Sequence, residues 1–403
     1  MNQIYWKKNA HKRAGSMSDL SFLSTEESNK VLQFHKSYLK YKETPLTTLS
    51  ALSNYLGVKQ ISVKDESQRY NLNAFKVLGG LYAIAKYIGN QLGIPDEQLT
   101  FDKLKSPSVK ESLGTLTFVS ATDGNHGRGV AWAAQQLGHQ AVIHMPKGSS
   151  SRRLQHIHDC GAEGYITDWN YDKTVEYVAN SAKENGWVVI QDTAWEGYEE
   201  IPKWIMQGYS AIATEVINQS ESKKPTHLFL QAGVGSFASA IIGSVISNYK
   251  ETSPKIVIVE PDQANCFYRS FLAGKGEAVA VTGDMDTIMA GLACGVPNKV
   301  SWEIIRNYAD IAVSCSDDVA ATGMRILGNP LDKDERIISG ESGAVPMGLL
   351  YKLLSDPNLV KVKEELDLDS DSHILLINTE GDTDAVKYKQ IVWEGAHPSY
   401  QSR

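Results

Sequence analysis

An α/β fold of two lobes, with twisted and mainly parallel sheets flanked by helices, is what this sequence predicts. Short β-rich apolar runs alternate with amphipathic helical stretches, and several of the runs end in glycine-containing turns. The chain also has 403 residues, 42% of them hydrophobic and 22% charged, which is enough apolar material for two cores. In the middle of the chain TLTFVSAT, QAVIHMP, EGYITD and WVVIQDT are separated by stretches such as GRGVAWAAQQLG and YDKTVEYVANSAKENG, an order that predicts βαβ units. ISVKDE before position 76, and THLFLQAG, KIVIVEP, DIAVSCS and HILLINTE further on, give a second set of strands on both sides of the first. The expected division is a larger, discontinuous lobe of residues 1–88 and 196–403 and a smaller α/β lobe of residues 89–195. No fixed-period repeat or long Pro/Ser linker separates them, so a cleft between closely packed lobes is expected, with ligands at the carboxyl ends of strands.

A net charge of −7 offers no broad footprint for nucleic acid and points to small-molecule chemistry. Lys7, Lys8, Lys12 and Arg13 lie in an N-terminal segment without the apolar core of a secretory signal, and it reads as a surface arm. The most apolar later stretch, Leu228 to Ile246, is interrupted by Gln231, glycines and serines, so a strand, loop and helix fit it better than a membrane span. Cys160, Cys266, Cys294 and Cys315 are widely spaced, which favours buried thiols in a reduced, cytoplasmic protein. The spacing of His126, His139, His144, His156 and His158 matches no standard zinc motif, so no metal is expected.

Three junctions carry the candidate chemistry. In Asn73-Ala74-Phe75-Lys76 the lysine ends a loop just before the helical VLGGLYAIAKYIG; helix starts favour anions, so this lysine is either a solvated surface residue or a reactive group. Ser120-Ala121-Thr122-Asp123-Gly124-Asn125-His126-Gly127 joins a strand to a helix, and Asp123 there is a helix cap or an acid-base group, with Asn125 a turn residue or a ligand contact. Gln231-Ala232-Gly233-Val234-Gly235-Ser236 puts glycines at a strand-to-helix turn, a phosphate cradle or simply a tight turn.

Together these segments resemble the fold-type-II, tryptophan-synthase-β-like family of enzymes that use pyridoxal 5'-phosphate. That resemblance implies a cofactor held in the cleft by the larger lobe, with Lys76 as the lysine that carries it as a Schiff base, and Phe75 beside its ring. It implies Asn125 at the 3-hydroxyl, Gly233, Val234, Gly235 and Ser236 around the phosphate, Thr379 at the pyridine nitrogen, and Glu341 shaping the pocket. Val234 and Ser236 stand where many members have glycine, and Asn378 precedes Thr379 in a departure from the common motif.

NAFKVLGG, ATDGNHGRGVAWAAQQLG, QDTAWEGY, IMAGLACG, ISGESGAV and NTEGDTD narrow the resemblance to the branch that eliminates ammonia from 2,3-diaminopropionate. Its implied reaction gives pyruvate and two ammonia, with Lys76 and Asp123 as bases on opposite faces and Asp192 as a second carboxylate suited to a substrate with two ammonium groups. For Asp192, surface capping is the alternative. Competing functions are a serine or threonine dehydratase or a β-replacing synthase, against which Asp123 argues, and a catalytically retired amino-acid sensor. The family likeness also implies a homodimer, and an approach of Cys266 and Cys294 beside the cleft.

Overall fold

The apolar runs become strands because most of them are buried on both faces, as expected where helices cover both sides of a parallel sheet. The computed structural model describes residues 4–12, 18–122, 124–220 and 223–399. Among these the strands are β1 (Ile4–Lys8), β2 (Leu46–Thr48), β3 (Gln60–Asp65), β4 (Thr117–Ala121), β5 (Gln140–Met145), β6 (Glu163–Ile166), β7 (Val188–Val189), β8 (His227–Gln231), β9 (Lys255–Pro261), β10 (Ile311–Cys315) and β11 (His373–Asn378). No described helix is long and apolar enough to cross a membrane.

The chain divides into two units. The first comprises Met1–Ser21, Thr44–Gln68 and Glu215–Arg403, and the second Phe22–Glu43 and Arg69–Thr214. In the first unit a seven-stranded sheet runs β1-β10-β9-β8-β11-β3-β2; its inner pairs are parallel, and β1 and β2 are antiparallel edges. Val257, Val259, Phe229, Leu376 and Val63 of this sheet share one apolar cluster with Val345 and Leu349 of the helix Glu341–Ser355. In the second unit four parallel strands run β6-β5-β4-β7, and the helix Tyr171–Asn185 packs Val178 and Ala182 against Val119, Ala121 and Val142.

These bounds differ from the breaks at 88/89 and 195/196 read from the sequence. The helix Val77–Leu92 packs along Asn125–Leu137 and falls, with Lys76, in the second unit, while the helix Glu200–Gln219 begins in the second and ends in the first. The N-terminal surface arm is corrected as well: Ile4–Lys8 is an edge strand on β10, because Ile4 and Trp6 pack against the apolar cluster while Lys8 remains exposed.

Candidate active site

Lys76 lies at the start of the helix Val77–Leu92, and a close helix crossing fixes its backbone. A Cβ on Gly129 would lie 2.9 Å from the backbone nitrogen of Val77 and 3.1 Å from the carbonyl carbon of Lys76, so only glycine lets the helix Asn125–Leu137 lie this near. The Lys76 ammonium donates to Asp192 Oδ2 at 2.7 Å, with the lysine side chain 23% exposed and the aspartate 9%. Burial alone would raise the Asp192 carboxyl; the Lys76 charge, helped by His126 and by hydrogen bonds, outweighs it and holds the group at about 2. A second buried lysine makes a useful contrast. Lys64 donates to Glu215, Gln219 and the Thr44 carbonyl at 2.6, 2.8 and 2.7 Å with no exposed surface, which makes it a sealed structural ion. Lys76 alone of the two is open to a ligand.

Asp192 follows β7, a strand that ends early for a visible reason. Only Val188 and Val189 join the ladder with β4; beyond them the Gln191 carboxamide stands in for a backbone rung, accepting from Ala121 N at 3.0 Å and donating to the Ala121 carbonyl at 2.9 Å. His126 Nε2 donates to the Ile190 carbonyl at 2.9 Å, which ties the same strand end to the helix that begins at Asn125. Asp123 lies outside the described residues. The capping role weighed for it belongs in part to its neighbour, since Thr122 Oγ1 accepts from Gly124 N and Gly127 N at 3.1 and 3.2 Å. Phe75 is buried, its ring 4.7 Å from that of Tyr209, and Asn125 is the first residue of its helix. Of the predicted residues in this unit, the structure brings Lys76 and Asp192 into contact.

In the first unit Gly233 to Ser236 run from β8 into the helix Ser236–Tyr249, whose cap residue Gly235 has φ of +95° and brings no side chain to the helix end. A Cβ on Gly235 would lie 2.5 Å from the Phe267 ring, and one on Gly233 would lie 3.3 Å from the Gly291 carbonyl and from Cys294 Sγ. Val234 and Ser236 are held by Asn298, which donates from its backbone to the Val234 carbonyl at 2.9 Å and from its amide to Ser236 Oγ at 3.1 Å. Thr379, buried after β11, accepts from Gln231 Nε2 at 3.0 Å, which links it to the residue that opens the glycine loop. Glu341 is buried at the start of its helix. Cys266 and Cys294 form no disulfide and lie beside the same loop, with Cys266 Sγ 3.9 Å from the Gly233 carbonyl. No metal-binding group of histidine, cysteine and carboxylate side chains occurs among the described residues.

Residues 38–368 match the family model described as pyridoxal-phosphate dependent enzyme. The diaminopropionate ammonia-lyase of Escherichia coli is 52% identical over 367 residues, 91% of this chain and 91% of that one. The chain belongs to the diaminopropionate ammonia-lyase family of pyridoxal-phosphate dependent enzymes. The family's member from Salmonella typhimurium is 50% identical over 95% of this chain and 96% of its own. A crystal structure of the holo diaminopropionate ammonia lyase from Escherichia coli superposes with a TM-score of 0.91 at 48% identity, covering 98% of both chains. The α/β fold-type-II architecture is therefore as the sequence predicted, and the cofactor of this family member is pyridoxal 5'-phosphate. Its residues fit the group. In the second unit a reachable lysine has a carboxylate beside it; in the first a glycine turn, with no room for a Cβ at Gly235, leads into a 14-residue helix whose amide end favours an anion.

Sequence reasoning passed over Gln191, Tyr198 and Tyr209, which surround the Lys76–Asp192 pair or its supporting strand. QDTAWEGY was noted as a family-like motif without roles for its glutamine and tyrosine, and no local pattern marks Tyr209. Trp195 and Trp204 are packing residues: one stacks on Tyr198 at 4.1 Å and the other is buried.

Proposed function

We propose that this chain is a carbon-nitrogen lyase that converts 2,3-diaminopropionate and water to pyruvate and two ammonia. The contact that carries the reading is Lys76 against buried Asp192. Once Lys76 is committed to the cofactor its ammonium no longer neutralises Asp192, and that carboxylate becomes the counter-charge for an ammonium group of a diamino acid. A neutral serine side chain would leave it unmatched in a buried setting, which favours the diamine over a hydroxy amino acid.

The cofactor, when bound, supplies an electron sink that acidifies the substrate's Cα proton. Lys76 accepts that proton on one face and Asp123 on the other, which allows both enantiomers to react. Gly233, Val234, Gly235 and Ser236 would hold the phosphate, with Thr379 for the pyridine nitrogen, Asn125 for the 3-hydroxyl, and Phe75 and Glu341 lining the pocket. In this reading the protein works as a cytoplasmic homodimer. The direct test is the visible absorption spectrum before and after adding 2,3-diaminopropionate, with pyruvate measured in the same sample. An unchanged spectrum without pyruvate would overturn the assignment.

Two substitutions separate the carboxylates. Asp192→Asn should fold and load cofactor while kcat/KM for 2,3-diaminopropionate falls by about 100-fold, within the range for a buried charged partner. Asp123→Asn should cut activity on the D substrate by about 100-fold or more and on the L substrate less, because Lys76 still serves its own face. Equal small losses on both enantiomers with a lower melting temperature would make Asp123 a structural residue.

A further inference from the structure

The QDTAWEGY segment carries more than Asp192. From Trp195 the chain turns through Gly197, at φ of +81°, and Trp195 and Tyr198 exchange backbone hydrogen bonds of 3.3 and 2.9 Å while their rings stack. The turn sends the Tyr198 phenol back onto the strand that precedes Asp192. Its oxygen accepts from Gln191 N at 2.8 Å and its proton goes to the Val189 carbonyl at 2.9 Å. These are backbone groups that would have continued the β7 ladder, so the phenol replaces a missing strand neighbour on one side while the Gln191 carboxamide does so toward β4. Burial pushes the phenol well above its ordinary titration range, so it keeps its proton and both hydrogen bonds across the working pH range.

We propose that Tyr198 is a positioning residue that presets the Asp192 carboxylate against Lys76, so that substrate finds the counter-charge already oriented. The phenol acts through the two peptides that join Val189, Ile190 and Gln191, one residue before Asp192. This rests on the reading that Asp192 serves the Lys76 site. Groups that face Asp192 are Lys76 and His126, with Tyr198 and Tyr209 close enough to sense its charge. In the holoenzyme, where Lys76 is committed to the cofactor, loosening the clamp weakens the hold of His126 and of the backbone hydrogen bond on the carboxylate, which then takes up a proton at higher pH.

The test compares holoenzymes of Tyr198→Phe, Gly197→Ala and Asp192→Asn with the native protein, reading melting temperature, cofactor absorbance, and kcat/KM for 2,3-diaminopropionate and serine against pH. Tyr198→Phe keeps the ring stack and the cofactor and loses on the order of tenfold in kcat/KM for the diamine, more than for serine, as expected for a misplaced group. Its acid limb lies at higher pH than that of the native enzyme. Gly197→Ala, where a Cβ would meet nothing within 4 Å, strains only the turn and shifts the same two readouts in the same direction, which keeps the test open if the phenylalanine variant folds poorly. If Asp192→Asn works normally, the reading of the site fails. If Asp192→Asn is slow while both other variants keep the native rate ratio and acid limb, Tyr198 is only a packing residue and the proposal is overturned.

Discussion

Replacing Lys76 by alanine should reduce turnover of 2,3-diaminopropionate to background and remove the absorbance of the lysine-linked cofactor. The loss spans at least the 10²- to 10⁴-fold range, about what removing a general base costs, and exceeds it because the same amine also anchors the cofactor. Lys64, a fully enclosed lysine paired with a carboxylate, has its donors committed to Thr44, Glu215 and Gln219 and supplies no substitute. Borohydride reduction followed by peptide mapping should label Lys76 in the native chain and no lysine in the variant. A variant retaining native turnover would remove Lys76 from the mechanism. The apo variant should also be informative, since Asp192 is then left buried without its main cation. Its carboxyl should rise from about 2 toward or above the usual carboxylate range.

Gly129→Ala should damage both stability and activity although Gly129 touches no proposed ligand. The new methyl group would lie 2.8 Å from the Val77 Cα, against backbone that cannot rotate away. Alanine gains about 1 kcal/mol of helix propensity over glycine, while overpacking of this kind costs about 1 to 3 kcal/mol, so the balance is destabilising. The displaced backbone is the first turn that carries Lys76, and a shift of about 1 Å there costs on the order of 100-fold in rate. Thermal melting and kcat measured on the same preparation check it. A variant with native melting temperature and native kcat would show that the helix pair can part without moving Lys76.

The interior strands were legible because burial on both faces writes them as unbroken apolar runs, from Ile256 to Val259 or Ile374 to Ile377. β1 and β2 were not, since a short half-buried edge with lysine or threonine in it looks like any surface segment. WVVIQDT read as a full strand, yet β7 stops after Val189; the reason is a glutamine side chain taking a backbone's place, which no periodicity records. The units divide elsewhere than 88/89 because Gly129 and the backbone of Val77, far apart in sequence, pack against each other and group the Lys76 helix with Asn125–Leu137. Lys76, Asn125 and the glycine loop could be found at loop-to-helix or strand-to-helix junctions. Tyr198 and Tyr209 could not, because their relation to Asp192 and Phe75 exists only once the turn at Gly197 and the helix Glu200–Gln219 are in place.

The strand order of the first unit has a consequence for synthesis. β11 pairs in parallel with both β3 and β8, so residues 373–378 are needed before residues 60–65 acquire their inner neighbour. On a ribosome the second unit, finished by Thr214, can close while the first unit still has an open seam through its sheet. Nascent chains therefore carry an unpaired edge of β3 for most of translation, and one of β8, apolar at Leu228, Phe229 and Leu230, until β11 is made. A release anywhere short of β11 leaves that seam exposed to other chains, which makes the last strand a checkpoint between a folded enzyme and an aggregating fragment.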